Sequence, residues 1–215
     1  MFLWTLLCLG REGSERDQTM RALADCLEVS HEVGHGVKVL GHGVLAFAYW
    51  RAGERQKAWD ICARAAELIA ESEGSAQYIF PSYAGLAEVL LASKEVEHEN
   101  APEDIGPWHR QLSRALRRFA MLHRIVRPRE RLVAGRDLQQ RGHHWRARRA
   151  WYKGLRLARG LQMPYEKALL ELALAGSDGL AVERRKEHLT SARSAFERMG
   201  NAYDVGRCAE LASLL

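Results

Sequence analysis

His31, Glu32 and His35 stand in an HExxH arrangement within "SHEVGHGVKVLGHG". On a continuous helix the two imidazoles would share one face and reach a single zinc, while Glu32 polarised a bound water. Eighteen residues separate His35 from Glu54, the spacing at which aminopeptidase-type gluzincins place a third ligand. His42, His143 and His144 offer further nitrogens. Such chemistry needs rigid elements beneath it. Glycines at 34 and 36 each disfavour helix by about 1 kcal/mol relative to alanine, so the motif falls in a turn between helices. Glu54 follows Gly53 and reads as an acidic residue in the first turn of the next helix, where it complements the helix dipole. No metal ligand, catalytic residue or cofactor is therefore expected, and the histidines read as solvated loop residues. Zinc peptidase chemistry is the alternative that bound metal would reveal.

The surrounding composition favours helix. The chain of 215 residues has only five prolines, with Ala, Leu, Arg and Glu abundant and no alternating Val, Ile and Thr runs, so the expected class is all-α. Four cysteines, Cys8, Cys26, Cys62 and Cys208, lack CxxC spacing, and no disulfide is expected of them. The opening "MFLWTLLCLG" is too short to span a bilayer and reads as a helix, consistent with a cytoplasmic chain and no membrane partner.

Internal repetition is the strongest signal. Ala46 is followed by Gly53, Ala58, Cys62 and Ala65, and the same offsets return from Gly135 as Gly142, Ala147, Trp151 and Gly154. This is the tetratricopeptide (TPR) pattern: a small residue admits the second helix, a glycine closes the first in a left-handed turn, and Ala with a larger residue fills the seam. The Ala/larger pair recurs as Ala22/Cys26, Ala58/Cys62, Ala115/Phe119, Ala147/Trp151 and Ala192/Phe196. The expected helices lie near 2–9, 15–32, 37–51, 55–72, 81–94, 107–125, 128–141, 144–161, 164–175, 183–200 and 202–214. Stacked together they make a right-handed α-solenoid of TPR-like hairpins, one domain over 1–215, with an acidic, Pro-containing loop over 93–107. Trp50, Trp59, Trp145 and Trp151, at helical spacing, are expected in the core or seam.

The stretch "WRARRAWYKGLRLARGLQMPYEKALLELAL", residues 145 to 174, resembles the TPR-rich C-terminal arm of large signalling ATPases, those fused to class III adenylate or guanylate cyclase or Ser/Thr kinase domains. Met163, Pro164, Tyr165 and Glu166 match the turn that follows the basic hairpin in such arms. "LTSARSAFERMGNAYDVGRCAEL" looks like a closing repeat, and "DCLEVSHEVGHGVKVLGHGVLAFAYWRAGERQKAW" resembles an earlier one. The resemblance implies a regulatory or scaffolding arm. Neither the phosphate-binding loop nor the cyclase aspartates of that family occur here, so no enzymatic activity is expected.

Between Arg110 and Arg159 sixteen Lys or Arg face two acids, Glu130 and Asp137, within a net charge of +5. The arginines fall between apolar residues, as on solvated helical faces. Arg117, Arg118, Arg146, Arg148 and Arg149 are the candidate surface for an acidic protein or peptide partner, which could also be the preceding domains of a parent protein. A basic nucleic-acid-binding repeat is the alternative, distinguished by salt-sensitive affinity, and is disfavoured. The last helix, with Asp204, Arg207 and Glu210 outward, is expected to cap the stack. The first, apolar through Phe2, Leu3, Trp4, Leu6, Leu7 and Leu9, does not, which suggests a C-terminal fragment that self-associates through its N-terminal hairpin.

Overall fold

The computed structural model of the chain describes residues 14–29, 34–71, 77–95, 102 and 105–215. Among them are ten α-helices and no strand, so the fold is all-α. They are α1 (Ser14–Val29), α2 (His35–Arg51), α3 (Arg55–Glu71), α4 (Phe80–Glu95), α5 (Ile105–Leu122), α6 (Arg127–Gln140), α7 (His144–Gly160), α8 (Pro164–Ala175), α9 (Val182–Met199) and α10 (Ala202–Ala212). Two compact units divide between His123 and Arg124.

In the first unit α2 packs against α1, α3 and α4, while α5 packs against α3 and α4. Close approach of α2 to α4 depends on small residues. A Cβ on Gly43 would meet the side chain of Ser82 at 2.0 Å, and Ser82 Oγ donates to Val39 O at 2.6 Å. The buried Ala58, Cys62 and Ala65 of α3 form the seam foreseen from their spacing. Trp59 Nε1 donates to Ser93 Oγ at 2.9 Å, and Ser93 donates in turn to Val89 O at 2.7 Å. Across the other side, Gln111 Nε2 of α5 donates to Ala66 O of α3 at 2.7 Å, tying these two helices directly together.

In the second unit α6 pairs with α7, α8 with α9, α8 also with α6 and α7, and α10 closes against α9. The core gathers Ala147, Trp151, Leu155 and Ala158 of α7 with Leu169, Leu170 and Phe196. Trp151 is 1% exposed, and its Nε1 donates to Leu132 O at 3.1 Å. Gly135 makes room for that ring. Gly53 (φ +82°) and Gly142 (φ +76°) hold the left-handed turns after α2 and α6, where a Cβ would be strained.

The Met-Pro-Tyr-Glu turn has a structural purpose. Pro164 starts α8, where a missing N–H costs nothing. Glu166 then meets the fully buried Arg129 of α6 at 3.0 Å, and Tyr165 donates to Asp204 Oδ2 of α10 at 3.2 Å. One turn thereby joins α6, α8 and α10.

Several sequence expectations need correction. Asp204 is not outward: it is fully buried, hydrogen-bonded to Asn201 and paired with Arg207 at 2.9 Å, because it completes the N-cap of α10. Arg129 likewise leaves the solvated face for the pair with Glu166. His42 lies within α2, 9% exposed, and donates from Nδ1 to Lys38 O at 2.7 Å, so it is a helical core residue and not a loop histidine. Trp145 is 61% exposed while Trp50, Trp59 and Trp151 are buried. Ala22 is exposed, and the side chain of its expected seam partner Cys26 lies outside the described residues. Helix α4 continues to Glu95 and α5 begins at Ile105, so the break foreseen over 93–107 is narrower: Ser93 is buried by its bonds to Trp59 and Val89, and Pro107 sits within the first turn of a helix. The foreseen helix 2–9 lies outside the described residues.

Candidate interaction groove

A groove of about 660 Å³ runs along α7 in the second unit. Its origin is the phase of that helix. Ala147, Trp151, Leu155 and Ala158 turn inward, which leaves Trp145, Arg149, Tyr152, Lys153 and Arg156 on the opposite face, at offsets of three, four and seven residues. The far wall is α9, contributing His188. A second recess of about 510 Å³ shares Tyr152, Arg159 and His188 with the first and adds Glu171, Arg184 and Glu187.

Helices α7 and α9 do not form a close pair, unlike α3 and α5 in the first unit. Polar side chains occupy the space between them. Glu171 of α8, its side chain 3% exposed, accepts from Arg159 Nη2 at 3.1 Å and from His188 Nδ1 at 2.5 Å. Burial pushes the Glu171 carboxyl upward, but the hydrogen bonds and charges of His188 and Arg159 outweigh it and hold the group below the ordinary carboxylate range. His188 Nε2 in turn hydrogen-bonds the Tyr152 hydroxyl at 3.1 Å. The loop from Gly176 to Ala181 is tied to α7 through Arg148 Nη1, which donates to Asp178 O at 2.5 Å, and His144 Nδ1 lies 3.5 Å from the Asp178 carboxylate.

The cationic wall is under-neutralised. Arg159 is matched by Glu171 and Arg148 by a carbonyl, while Arg149 lies 5.6 Å over the Trp145 ring. Arg149, Lys153 and Arg156 have no carboxylate partner among the described residues. The arrangement is suited to holding an anionic ligand with apolar surface: the aromatics supply area, and the cations supply charge.

Of the five arginines singled out by sequence, Arg148 and Arg149 line this groove, and Arg146 is exposed on α7 outside it. Arg117 and Arg118 are exposed on α5, in the other unit. Tyr152, Lys153, Arg156, Arg159, Glu171 and His188 are not singled out by sequence, although the helical phase opposite Trp151 picks out Lys153 and Arg156. Glu171 and His188 required the tertiary packing.

The HExxH residues His31 and Glu32 lie outside the described residues. His35 opens α2, its Nε2 donating to Leu68 O at 2.9 Å, and Glu54 pairs with Lys57 at 2.5 Å. His143 is exposed at the start of α7. Among the described residues no three His, Cys, Asp or Glu side chains converge as a metal site. Cys62 and Cys208 are free thiols; burial raises both, Cys208 to about 11. No described helix is long and apolar enough to cross a membrane. Comparison with protein-family models, curated proteins and solved structures returns no match.

Proposed function

We propose that the chain is a non-catalytic protein-interaction arm, a right-handed solenoid of TPR-like hairpins that docks a partner protein along the α7 groove. This places it in the role of the regulatory arms that accompany cyclase- or kinase-linked signalling ATPases. The observation that carries the reading is the cationic and aromatic face of α7. Trp145 is 61% and Tyr152 40% exposed, beside three cations without carboxylate partners among the described residues. Exposed aromatics and arginines are the side chains that interfaces favour. The hairpin reading draws support from the left-handed glycines after α2 and α6 and from pairing between alternate helices, α2 with α4 and α6 with α8.

The test is a photo-crosslinking residue introduced at Tyr152 of the full chain, expressed in its native cell. The same residue at Met121, 71% exposed on α5, serves as comparison. The proposal expects a discrete protein adduct, identified by mass spectrometry, from position 152 and not from 121. Adducts to nucleic acid alone, or none from 152, would refute it.

A further inference from the structure

We propose that the occupant of the α7 groove is an acidic amphipathic helix of another protein, an assignment that rests on the protein-docking reading above. In the first unit, α3 and α5 lie against one another, joined by the bond from Gln111 to Ala66 O. The corresponding helices of the second unit, α7 and α9, do not pair closely: Tyr152 meets His188 between them at 3.1 Å, and a groove is left along the outer face of α7. A groove along one helix face is a natural seat for a partner helix, which presents its own side chains at the same period. Arg149, Lys153 and Arg156 repeat at offsets of four and three over about two helical turns. A partner helix aligned with α7 meets all three with carboxylates at the same spacing. Its apolar side chains then lie between, against Trp145, Tyr152 and the buried Leu155 on the groove floor.

Charge on the opposite wall selects the class of anion. Glu187 lies in the recess that continues the groove, exposed and paired with the exposed Arg184 at 3.0 Å, while the Glu171 carboxylate beneath it is already held by Arg159 and His188. A nucleic-acid strand, anionic on every side, brings phosphates against Glu187 as well as Arg156. A helix places acids on one flank and a basic residue on the other, matching both walls. A lipid surface is flat and reaches neither Leu155 nor the Glu171 end of the groove.

The test uses fluorescence anisotropy with the full chain. The probe is a labelled, stapled Ala-based helix bearing Glu at i, i+4 and i+7, with Phe between them and one Lys on the far flank. A helix of identical composition with its Glu residues distributed around the axis, a labelled oligo(dT) and phosphatidylserine vesicles are the comparators. The expected result is affinity at least about tenfold tighter for the patterned helix than for each comparator. Charge reversal at Arg149, Lys153 and Arg156 together is expected to weaken it by at least about tenfold, and R117E/R118E to leave it unchanged. The milder K153Q/R156Q variant, which keeps long stems on α7, carries the same expectation in smaller measure should the triple reversal not fold. Equal binding of the redistributed helix, tighter binding of oligo(dT) or vesicles, or indifference to both groove variants would overturn the assignment. If Tyr152 crosslinks a protein while the patterned helix fails, only the acidic-helix assignment falls; if both fail, the docking reading falls with it.

Discussion

Replacing Gly135 with alanine tests the α6–α7 packing on which the groove is built. A Cβ there would lie 2.1 Å from Trp151 Nε1, 2.4 Å from Cδ1 and 2.6 Å from Cε2. The obstacle is a rigid indole, 1% exposed, whose Nε1 is held by Leu132 O. Forcing the ring aside costs about 1–3 kcal/mol in overpacking. Losing the partner of a buried donor costs about 1–3 kcal/mol more. Better helix propensity returns about 1 kcal/mol, so the net expectation is a loss of about 1–5 kcal/mol. Gly206, within α10, supplies the opposite case, because nothing lies within 4 Å of its would-be Cβ. Gly206→Ala should therefore stabilise by up to about 1 kcal/mol. Urea unfolding followed by helical circular dichroism, with amide exchange read separately for α6 and α7, measures both. A neutral or stabilising Gly135→Ala would refute the close contact with Trp151.

Glu166→Ala should cost about 3–5 kcal/mol in urea unfolding, because it removes a carboxylate paired with the fully buried Arg129; replacing both residues with methionine should cost markedly less. Glu171 is depressed in the folded state, so its contribution is present above the ordinary carboxylate pKa and is lost as pH falls through the lower folded value. The urea midpoint of the wild-type chain should fall on acidification more steeply than that of Glu171→Gln, and parallel curves would contradict this. Burial lowers His42, against the bond to Lys38 O and assisted by Arg64 and Lys38, so its NMR titration should have a midpoint below the usual 6.5 and stability should decline below that value; a midpoint above it would be inconsistent. Cys62 should resist alkylation in the native chain and react on unfolding, as mapped by peptide mass spectrometry.

The all-α class and most helix bounds were legible because glycines at left-handed turns and Ala/larger pairs repeat at fixed offsets. Gly142, Ala147 and Trp151 each took the part their spacing implied. The groove was legible only in part. Arg148 and Arg149 stood out as charges, but Trp145 was assigned inward with the other tryptophans, although it precedes Ala147 by two positions and so points nearly opposite. Buried polar groups were the least readable. Arg129, Glu166 and Glu171 have the composition of a solvated surface and are buried with partners distant in sequence, and Asp204 adds the distant Tyr165 to its local bonds with Asn201 and Arg207. Local periodicity carries no record of such pairs.

The central claim, that a protein partner sits on the cationic face of α7, is tested most directly by combining the Tyr152 crosslinking residue with charge reversal at Arg149, Lys153 and Arg156 in the native cell. Circular dichroism and thermal melting of the variant are the control for an intact fold. The account predicts that the protein adduct formed from position 152 falls at least about tenfold when the three charges are reversed. An adduct of undiminished yield and unchanged identity would contradict it.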